Sequence, residues 1–490
     1  MRPPLQKSGR WPLFALHDWV EERIGLNAIW LALFLRKLPF GVSWLYTLGF
    51  ASLALFLVQA VTGTVLGLYY APTPDHAYDS IQYIQNELPF GAIIRGIHHW
   101  GASAMVALVV LHLLAVFAMG AYKYPREMTW VVGTILLLIT LGFGFTGYLL
   151  PWDEKAYWAT TVGTNMAGTI PAIGGVLVRL LRGGADLGAL TLTRFFATHV
   201  LVLPMAIVAL IGVHVFLVIR QGVSVPPGLW DRAGLPGSTV AGRWDAPTVS
   251  KSRADDYRRR YEGYKALGHQ FFPDLIFEDA IVAVLVTLIV AALAVFIGAP
   301  LENQADPTNT AYVPRPEWYF MFLFEMLKYF PGEIEWIGAM AIPGLFVLVL
   351  FALPFFDRRP QRTLVSRPLA TASGSLVVLA IALLTVRSFQ TTPPGVSATE
   401  LRATRLAPAE IAGRQLIQAQ GCSACHIVNG QGTALGPSLD GISTQRDPAF
   451  IHTYIENPKS LNPAAQMPGF IPPLSHGQVE EITRYLLTLK

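Results

Sequence analysis

The sequence predicts an all-α protein: a polytopic membrane bundle of about seven or eight spanning helices, followed by a small all-α domain. Two observations carry the first half. Hydrophobic residues make up 53% of the chain and charged residues 14%, where a soluble globular protein carries about 25% charge. The apolar residues also fall in blocks long enough to cross a bilayer, which takes about 20 residues per helix. A third observation carries the second half. At 490 residues the chain is long for one domain, and Thr391, Thr392, Pro393, Pro394 and Pro408 mark 389–408 as a linker ahead of residues 409–490.

The start, Met1 to Trp11, is basic and proline-rich, and the apolar stretch after it is broken by Asp18, Glu21, Glu22 and Arg23. No cleavable signal is expected from that pattern. Residues 14–37 read as an amphipathic helix lying on the membrane surface. Seven spans follow, at roughly 43–69, 96–120, 129–150, 196–219, 279–299, 336–356 and 369–388. The sixth contains Pro343 and Pro354, which a membrane helix tolerates when neighbours satisfy the freed backbone groups.

Basic residues orient the bundle. Arg2, Lys7, Arg10, Arg23, Arg36 and Lys37 precede the first span, and Lys123 and Arg126 follow the second. The loop after the fourth is rich in Arg and Lys, including Arg220 and Arg258 to Arg260, and Arg358, Arg359, Arg362 and Arg367 follow the sixth. The alternate loops are poorer, so the positive-inside rule makes the N-terminus cytoplasmic and puts everything after 390 outside. Arg258-Arg259-Arg260 reads as juxtamembrane charge; no nucleic-acid partner is expected.

The only two cysteines fall in Cys422-Ser423-Ala424-Cys425-His426. C-x-x-C-H is the attachment signature of haem c: two thiols add across the vinyl groups, and the adjacent imidazole reaches the iron. A redox disulfide or half a zinc site are the bland readings, and the immediate His and lack of further Cys weigh against both. A c-type domain needs a sixth ligand, commonly a Met, which raises the potential. Met467, in Gln466-Met467-Pro468-Gly469, is the candidate, with His452 and His476 as competitors that read better as surface histidines. Residues 409–490 are therefore expected to form a monohaem cytochrome c domain, in which Gly436-Pro437 resembles the loop that buttresses the proximal His. Bacteria attach haem c outside the cytoplasm. That agrees with an outward C-terminus and implies a bacterial cytoplasmic membrane.

Ionisable residues inside spans are expensive and usually functional. The second span carries His98, His99 and His112, the fourth His199 and His214. His98 and His112 are 14 apart, which at about 100° per residue brings both to nearly one face. His199 and His214, 15 apart, also share a face, and His99 is the odd one out. Fourteen residues of helix cover roughly 21 Å. Two parallel helices, each with a His near either membrane surface, can hold two bis-His haem b groups stacked across the bilayer. The shared direction of these spans pairs His98 with His199 and His112 with His214. A lone intramembrane His is often just hydrogen-bonded between helices; four at matched spacing are not read that way. Gly49 and Gly63, then Gly133 and Gly147, repeat the 14-residue interval in the first and third spans. They would make room for a flat macrocycle, with small-residue helix packing as the alternative. Arg95 and Arg194, just outside the outer pair, are candidates to neutralise haem propionates.

With these residues in view, 12–390 resembles cytochrome b of the respiratory and photosynthetic bc and bf complexes. Asp18-Trp19-Val20-Glu21-Glu22-Arg23, Gly147-Tyr148-Leu149-Leu150-Pro151-Trp152-Asp153, Arg194-Phe195-Phe196 and the spacing of 15 look like the bf branch. That branch splits the protein into a four-span part and a three-span partner, and here both halves are joined. The resemblance implies a cytoplasmic segment 1–42, a diheme core 43–220, a basic loop 221–270 and a three-helix part 271–388. Its most specific motif is Pro316-Glu317-Trp318-Tyr319, between the fifth and sixth spans. In the family this segment lines the quinol oxidation site and its Glu accepts a proton, a role a carboxylate near a haem edge can fill. Loop 151–195 would form the other wall. The bf branch also holds an extra haem through a Cys in its first span; Thr47 occupies that position here, so no covalent third membrane haem is expected. Asp279 and Arg220 are the candidates for a cytoplasmic quinone site.

The resemblance implies bifurcated quinol oxidation coupled to proton translocation, in a quinol–cytochrome c reductase. One electron would go to a high-potential iron–sulfur partner and on to the haem at Cys422 and Cys425. The other would cross through the His98/His199 haem to the His112/His214 haem and reduce quinone. Both cysteines are used and an iron–sulfur centre needs its own ligands, so a separate Rieske protein is implied, with a cytochrome c or terminal oxidase as acceptor. The family also implies a homodimer. A dehydrogenase anchor would leave the Glu317 motif unexplained, and a transporter with a haem tail would leave the four histidines unexplained.

Overall fold

The computed structural model describes residues 12–25, 27, 31, 34–184, 186–231, 251–307, 309, 312, 315–390, 407–428, 431–432, 436–463, 465 and 467–489. Met1 to Trp11, the middle of the basic loop (232–250) and most of the expected linker (391–406) lie outside the described residues. The chain divides into two compact units, Met1–Ala305 with Pro314–Phe389, and Asp306–Val313 with Gln390–Lys490.

In the larger unit seven helices are long and apolar enough to cross a membrane: Trp44–Gly67, Gly91–Ala118, Glu127–Tyr148, Ala189–Gln221, Phe271–Phe296, Gly332–Phe356 and Pro368–Gln390. Each overlaps one expected span. The fourth begins seven residues earlier than hydropathy indicates, because the helix Ala189–Ala197 leads into it. The fifth begins eight residues earlier, where a turn at Phe271–Leu275, broken by extended Phe272, precedes the helix proper at Ile276. The first span packs on the second, the second on the third and the third on the fourth. The fifth lies against the second and first, and the sixth against the third. Close approach of the fifth span depends on Gly96, where an added Cβ would meet Ala294 at 2.8 Å.

The surface segment is interrupted. One helix covers Pro12–Ile24 and exposes Leu16 and Trp19, Gly25 then takes a left-handed φ of 70°, and Asn27, Leu31 and Phe34 are again helical. The basic loop also differs, since it contains a helix, Lys251–Ala266. Tyr257, Tyr261 and Tyr264 fall at helical spacing and pack with Trp230 and Val225, so an aromatic stripe forms its seam. Arg260 stacks on Trp230 at 4.4 Å. Three shorter helices, Glu154–Gly168, Gly174–Arg182 and Trp318–Leu327, follow the third and fifth spans.

The smaller unit is built from helices Pro408–Ala419, Pro448–Glu456 and His476–Leu486, with a two-stranded ladder pairing Ile427–Val428 to Gln431–Gly432. Ile417, Ile451, Val479, Ile482 and Tyr485 form its core. The first and last helices cross closely because Gly413 sits on the Glu481 carbonyl, where no Cβ would fit.

Candidate functional site

Each membrane histidine expected to form a pair lies against one of the four spaced glycines. An added Cβ would meet the imidazole Cε1 of His112 at 3.2 Å from Gly49 and of His98 at 2.9 Å from Gly63. From Gly133 it would meet His214 at 3.3 Å, and from Gly147 it would meet His199 at 2.6 Å. The glycines thus make room first for the ligand ring itself. His98 faces His199 with ring centroids 6.4 Å apart, and His214 is the charged-group neighbour of His112.

The unequal spacings of 14 and 15 are reconciled locally. Thr198–Val202 is a π-turn, in which the Leu203 N–H donates to the Thr198 carbonyl five residues back. Pro204 follows, with no N–H to continue the α pattern. One extra residue in the turn absorbs the fifteenth step and keeps His199 and His214 in register.

At one end of the bundle a threonine beside each glycine completes the setting. The Thr62 hydroxyl donates to the Val58 carbonyl at 2.7 Å and lies 3.0 Å from His98 Nδ1. Thr146 repeats this, donating to Gly142 at 2.8 Å and lying 3.1 Å from His199 Nδ1. A hydroxyl whose proton is already donated can only accept, so Nδ1 carries the hydrogen and Nε2 keeps its lone pair for a metal. At the other end His214 Nδ1 is buried, and among the described residues it has no side-chain partner, only the Thr129 backbone beside it.

The Glu317 segment sits beside the threonine-bearing end. Gly144, one turn before Gly147, makes way for the Tyr319 ring, whose Oη would be 2.9 Å from an added Cβ. Burial, with the Glu317 carboxylate adding to it, pushes the Tyr319 phenol up, so it remains a donor. Glu317 Oε1 accepts from Lys155 Nζ at 2.9 Å. Pro316 precedes a short 3-10 turn, Trp318–Phe320, in which Trp318 is exposed. His99, the odd histidine, has Glu317, Arg95 and Lys155 as charged neighbours.

Arg95 is buried and donates to the carbonyls of Ala299 at 2.8 Å and Pro300 at 2.7 Å, and to Gln85. Arg194 donates to the Leu180 carbonyl at 2.9 Å. Both are engaged by the protein's own acceptors. At the opposite end Asp279 is 3% exposed, its Oδ1 without a hydrogen-bond partner among the described residues. Its charged neighbours are Glu278 and Arg36, whereas Arg220 is exposed. Sequence reasoning missed Arg36, Lys155, Thr62 and Thr146. Only the two Thr-Gly pairs left a signal, a repeat at the same interval of the helices that receive the histidines.

In the smaller unit His426 Nδ1 bonds the Pro437 carbonyl at 2.7 Å, and Gly436 would place a Cβ 2.6 Å from the imidazole. Cys422 and Met467 pack against the core. Both competing histidines are engaged by Glu456: His452 Nδ1 lies 3.6 Å from its Oε1, and His476 pairs with the same oxygen.

Half-buried, oriented imidazoles in an apolar bundle, with a C-x-x-C-H unit appended, define a membrane electron-transfer protein. Comparison with known proteins agrees. Residues 35–222 match the family model "Cytochrome b/b6/petB", 304–405 match "Cytochrome b(C-terminal)/b6/petD", and 411–490 match "Cytochrome c". A cytochrome bc complex cytochrome b subunit of Chlorobaculum thiosulfatiphilum is 36% identical over 76% of this chain and 81% of its own. A menaquinol:cytochrome c reductase cytochrome b subunit of Geobacillus thermodenitrificans is 43% identical over 43% of this chain and 98% of its own. A chain of a solved hyperthermophilic respiratory Complex III, 28% identical, superposes with a TM-score of 0.63 over 77% of this chain and 92% of that one. The chain belongs to the cytochrome b subunits of cytochrome bc complexes, with both cytochrome b parts joined and a cytochrome c domain at the C-terminus. It is thus an electron-transport subunit of a membrane oxidoreductase.

Proposed function

We propose that this subunit oxidises a quinol at the Glu317 end of the bundle and divides its two electrons between two routes. The observation that carries this is four histidines facing each other's helices at two levels of one bundle, with Tyr319 seated against Gly144, one helical turn from the His199 glycine. His98 and His199 would hold one haem b, His112 and His214 a second, and Cys422, Cys425, His426 and Met467 one haem c. The free Nε2 atoms and glycine-lined seats fit that assignment. When bound, these groups supply one-electron carriers at fixed depths in the membrane.

The residues divide the remaining work. Glu317 takes a proton from the quinol hydroxyl, and Tyr319 donates a hydrogen bond at the same wall. Loop 151–195 covers that wall and excludes water. One electron leaves for an iron–sulfur protein of the Rieske type and then for the fused domain, which passes it to a cytochrome c or terminal oxidase. The second crosses to the opposite end, where Asp279 and Arg36 deliver protons and charge to a quinone, with Arg220 at the surface of that end. Menaquinol, named for the Geobacillus relative, is the first substrate to test. Positive-inside charge places the Glu317 end and the cytochrome c unit outside a bacterial cytoplasmic membrane, in a homodimeric complex.

The test is a reduced-minus-oxidised spectrum of the purified complex with haem quantification. Two haem b per haem c are expected, the b signal splitting into two potentials. His98→Ala and His199→Ala should remove one component and His112→Ala the other. A single b component in the unaltered protein would sink the reading.

A further inference from the structure

We propose that Lys155 is a positioning residue for quinol oxidation: it holds the Glu317 carboxylate in its proton-accepting place and releases it once the proton arrives. This deepens the function proposed above and rests on Glu317 being the acceptor.

Lys155 is the second residue of helix Glu154–Gly168. A cation at a helix N-terminus opposes the helix dipole, so local structure gives no reason for a lysine there. Stability gives little more, because the pair with Glu317 at 2.9 Å is part-exposed, at 28% and 18%, and such pairs contribute little to folding. The helix start is nevertheless fixed with care. Asp153 Oδ1 accepts from the Ala156 N–H at 2.8 Å, and its Oδ2 accepts from the Glu302 N–H at 3.1 Å. Glu154 N–H donates to the Asn303 carbonyl at 2.9 Å. The ammonium also lies 5.5 Å from the Tyr148 ring centroid, a second contact that orients it. The lysine is thus delivered from a braced helix start to one oxygen of the glutamate carried by the loop before the sixth span.

His99 also feels the Glu317 carboxylate, together with Arg95 and Lys155; Tyr319 is the glutamate's titratable neighbour on the same loop. Only Lys155 forms an ion pair with it among the described residues.

In the step itself the quinol loses two electrons and two protons. One O–H bond breaks and its proton goes to Glu317 Oε, giving a neutral carboxylic acid; the proton of the other hydroxyl leaves with the first electron to the iron–sulfur partner. The electrons leave by the two routes named above. Neutralising the carboxylate removes one half of the ion pair, so the arrival of the proton frees the side chain to carry it outward. Lys155 keeps its charge throughout and touches no reacting atom.

The experiment compares K155M, K155R, E317Q and K155M/E317Q in the assembled complex, by steady-state quinol:cytochrome c reductase kinetics, with haem b content as the folding control. K155M should lower kcat about tenfold with KM changed less than about twofold, and K155R should recover most of the rate. E317Q should be at least as slow, and K155M should add nothing to it, since a lysine acting only through Glu317 has no effect once that carboxylate is gone. Unchanged kcat in K155M, or a further tenfold loss in the double variant, would overturn the tether while leaving the Glu317 reading intact. E317Q at full rate would take down both. If K155M fails to assemble with its haem, K155Q carries the same readings.

Discussion

The two ends of the four-histidine bundle solve one problem in different ways. At the Glu317 end each imidazole has a glycine to lie on and a threonine hydroxyl on Nδ1, from Thr62 and Thr146. At the opposite end Gly49 and Gly133 provide the space, but among the described residues no threonine hydroxyl meets His214 Nδ1, whose backbone neighbour is Thr129. The carboxylates differ too. Glu317 is paired with Lys155, while Asp279 is buried with one oxygen unsatisfied and Arg36 as its nearest cationic influence. One end orients its imidazoles with threonine hydroxyls and its carboxylate with a lysine; the other uses glycine space and backbone, with no such side-chain partners among the described residues.

The sharpest way to break this comparison is to fill the glycine seats. Gly147→Ala puts a Cβ 2.6 Å from His199, and Gly133→Ala puts one 3.3 Å from His214. Overpacking of this kind costs about 1–3 kcal/mol. Gly147→Ala should therefore lose most of the Glu317-end b component, and Gly133→Ala should keep most of the other. Redox-resolved spectra read both. Equal losses would mean the ring contacts do not rank the two seats.

A middle-sized effect is expected at Asp279. Asp279→Asn should slow reoxidation of the opposite-end b component by about a hundredfold, the lower end of the scale for losing a positioned proton donor. Rapid-mixing absorbance should show the first reduction from the Glu317 end unchanged. Slowing of that first reduction instead would place Asp279 in the wrong half of the reaction.

The smallest effect belongs to the threonines. Thr62→Val with Thr146→Val keeps shape and removes the Nδ1 acceptors, which for ligand histidines is worth about 10–100-fold in retention of the bound group. Redox titration should show a shifted midpoint for the Glu317-end component alone. A shift at both ends would mean that the hydroxyls act on the bundle as a whole.

Some of this was legible in the chain and some was not. The seven spans could be read because a bilayer imposes one long apolar run per crossing. His98, His112, His199 and His214 stood out because charge-bearing rings are rare in such runs, and Gly49, Gly63, Gly133 and Gly147 because they share an interval. The aromatic seam over Tyr257, Tyr261 and Tyr264 was hidden by the strongly basic residues around it. Positive-inside charge was counted from Lys123, Arg126, Arg362 and Arg367, yet all four are buried. Lys123 pairs with Asp357 at 2.7 Å, and Arg362 stacks on Trp230 at 4.3 Å, with burial pulling its guanidinium down to about 10. Charges read as topological are also the clasp between the loop after the second span, the segment after the fourth and the loop after the sixth.

By itself the sequence determined the membrane class, the haem-bearing chemistry and which histidines share a helix face, since each rests on composition or on spacing along one helix. Tertiary structure alone decided the π-turn that absorbs the fifteenth residue before His214, the threonines on His98 and His199, and the meeting of Lys155 with Glu317 across 162 positions. Spacing predicts which residues share a face, but it cannot say which residue from another helix or loop that face will meet.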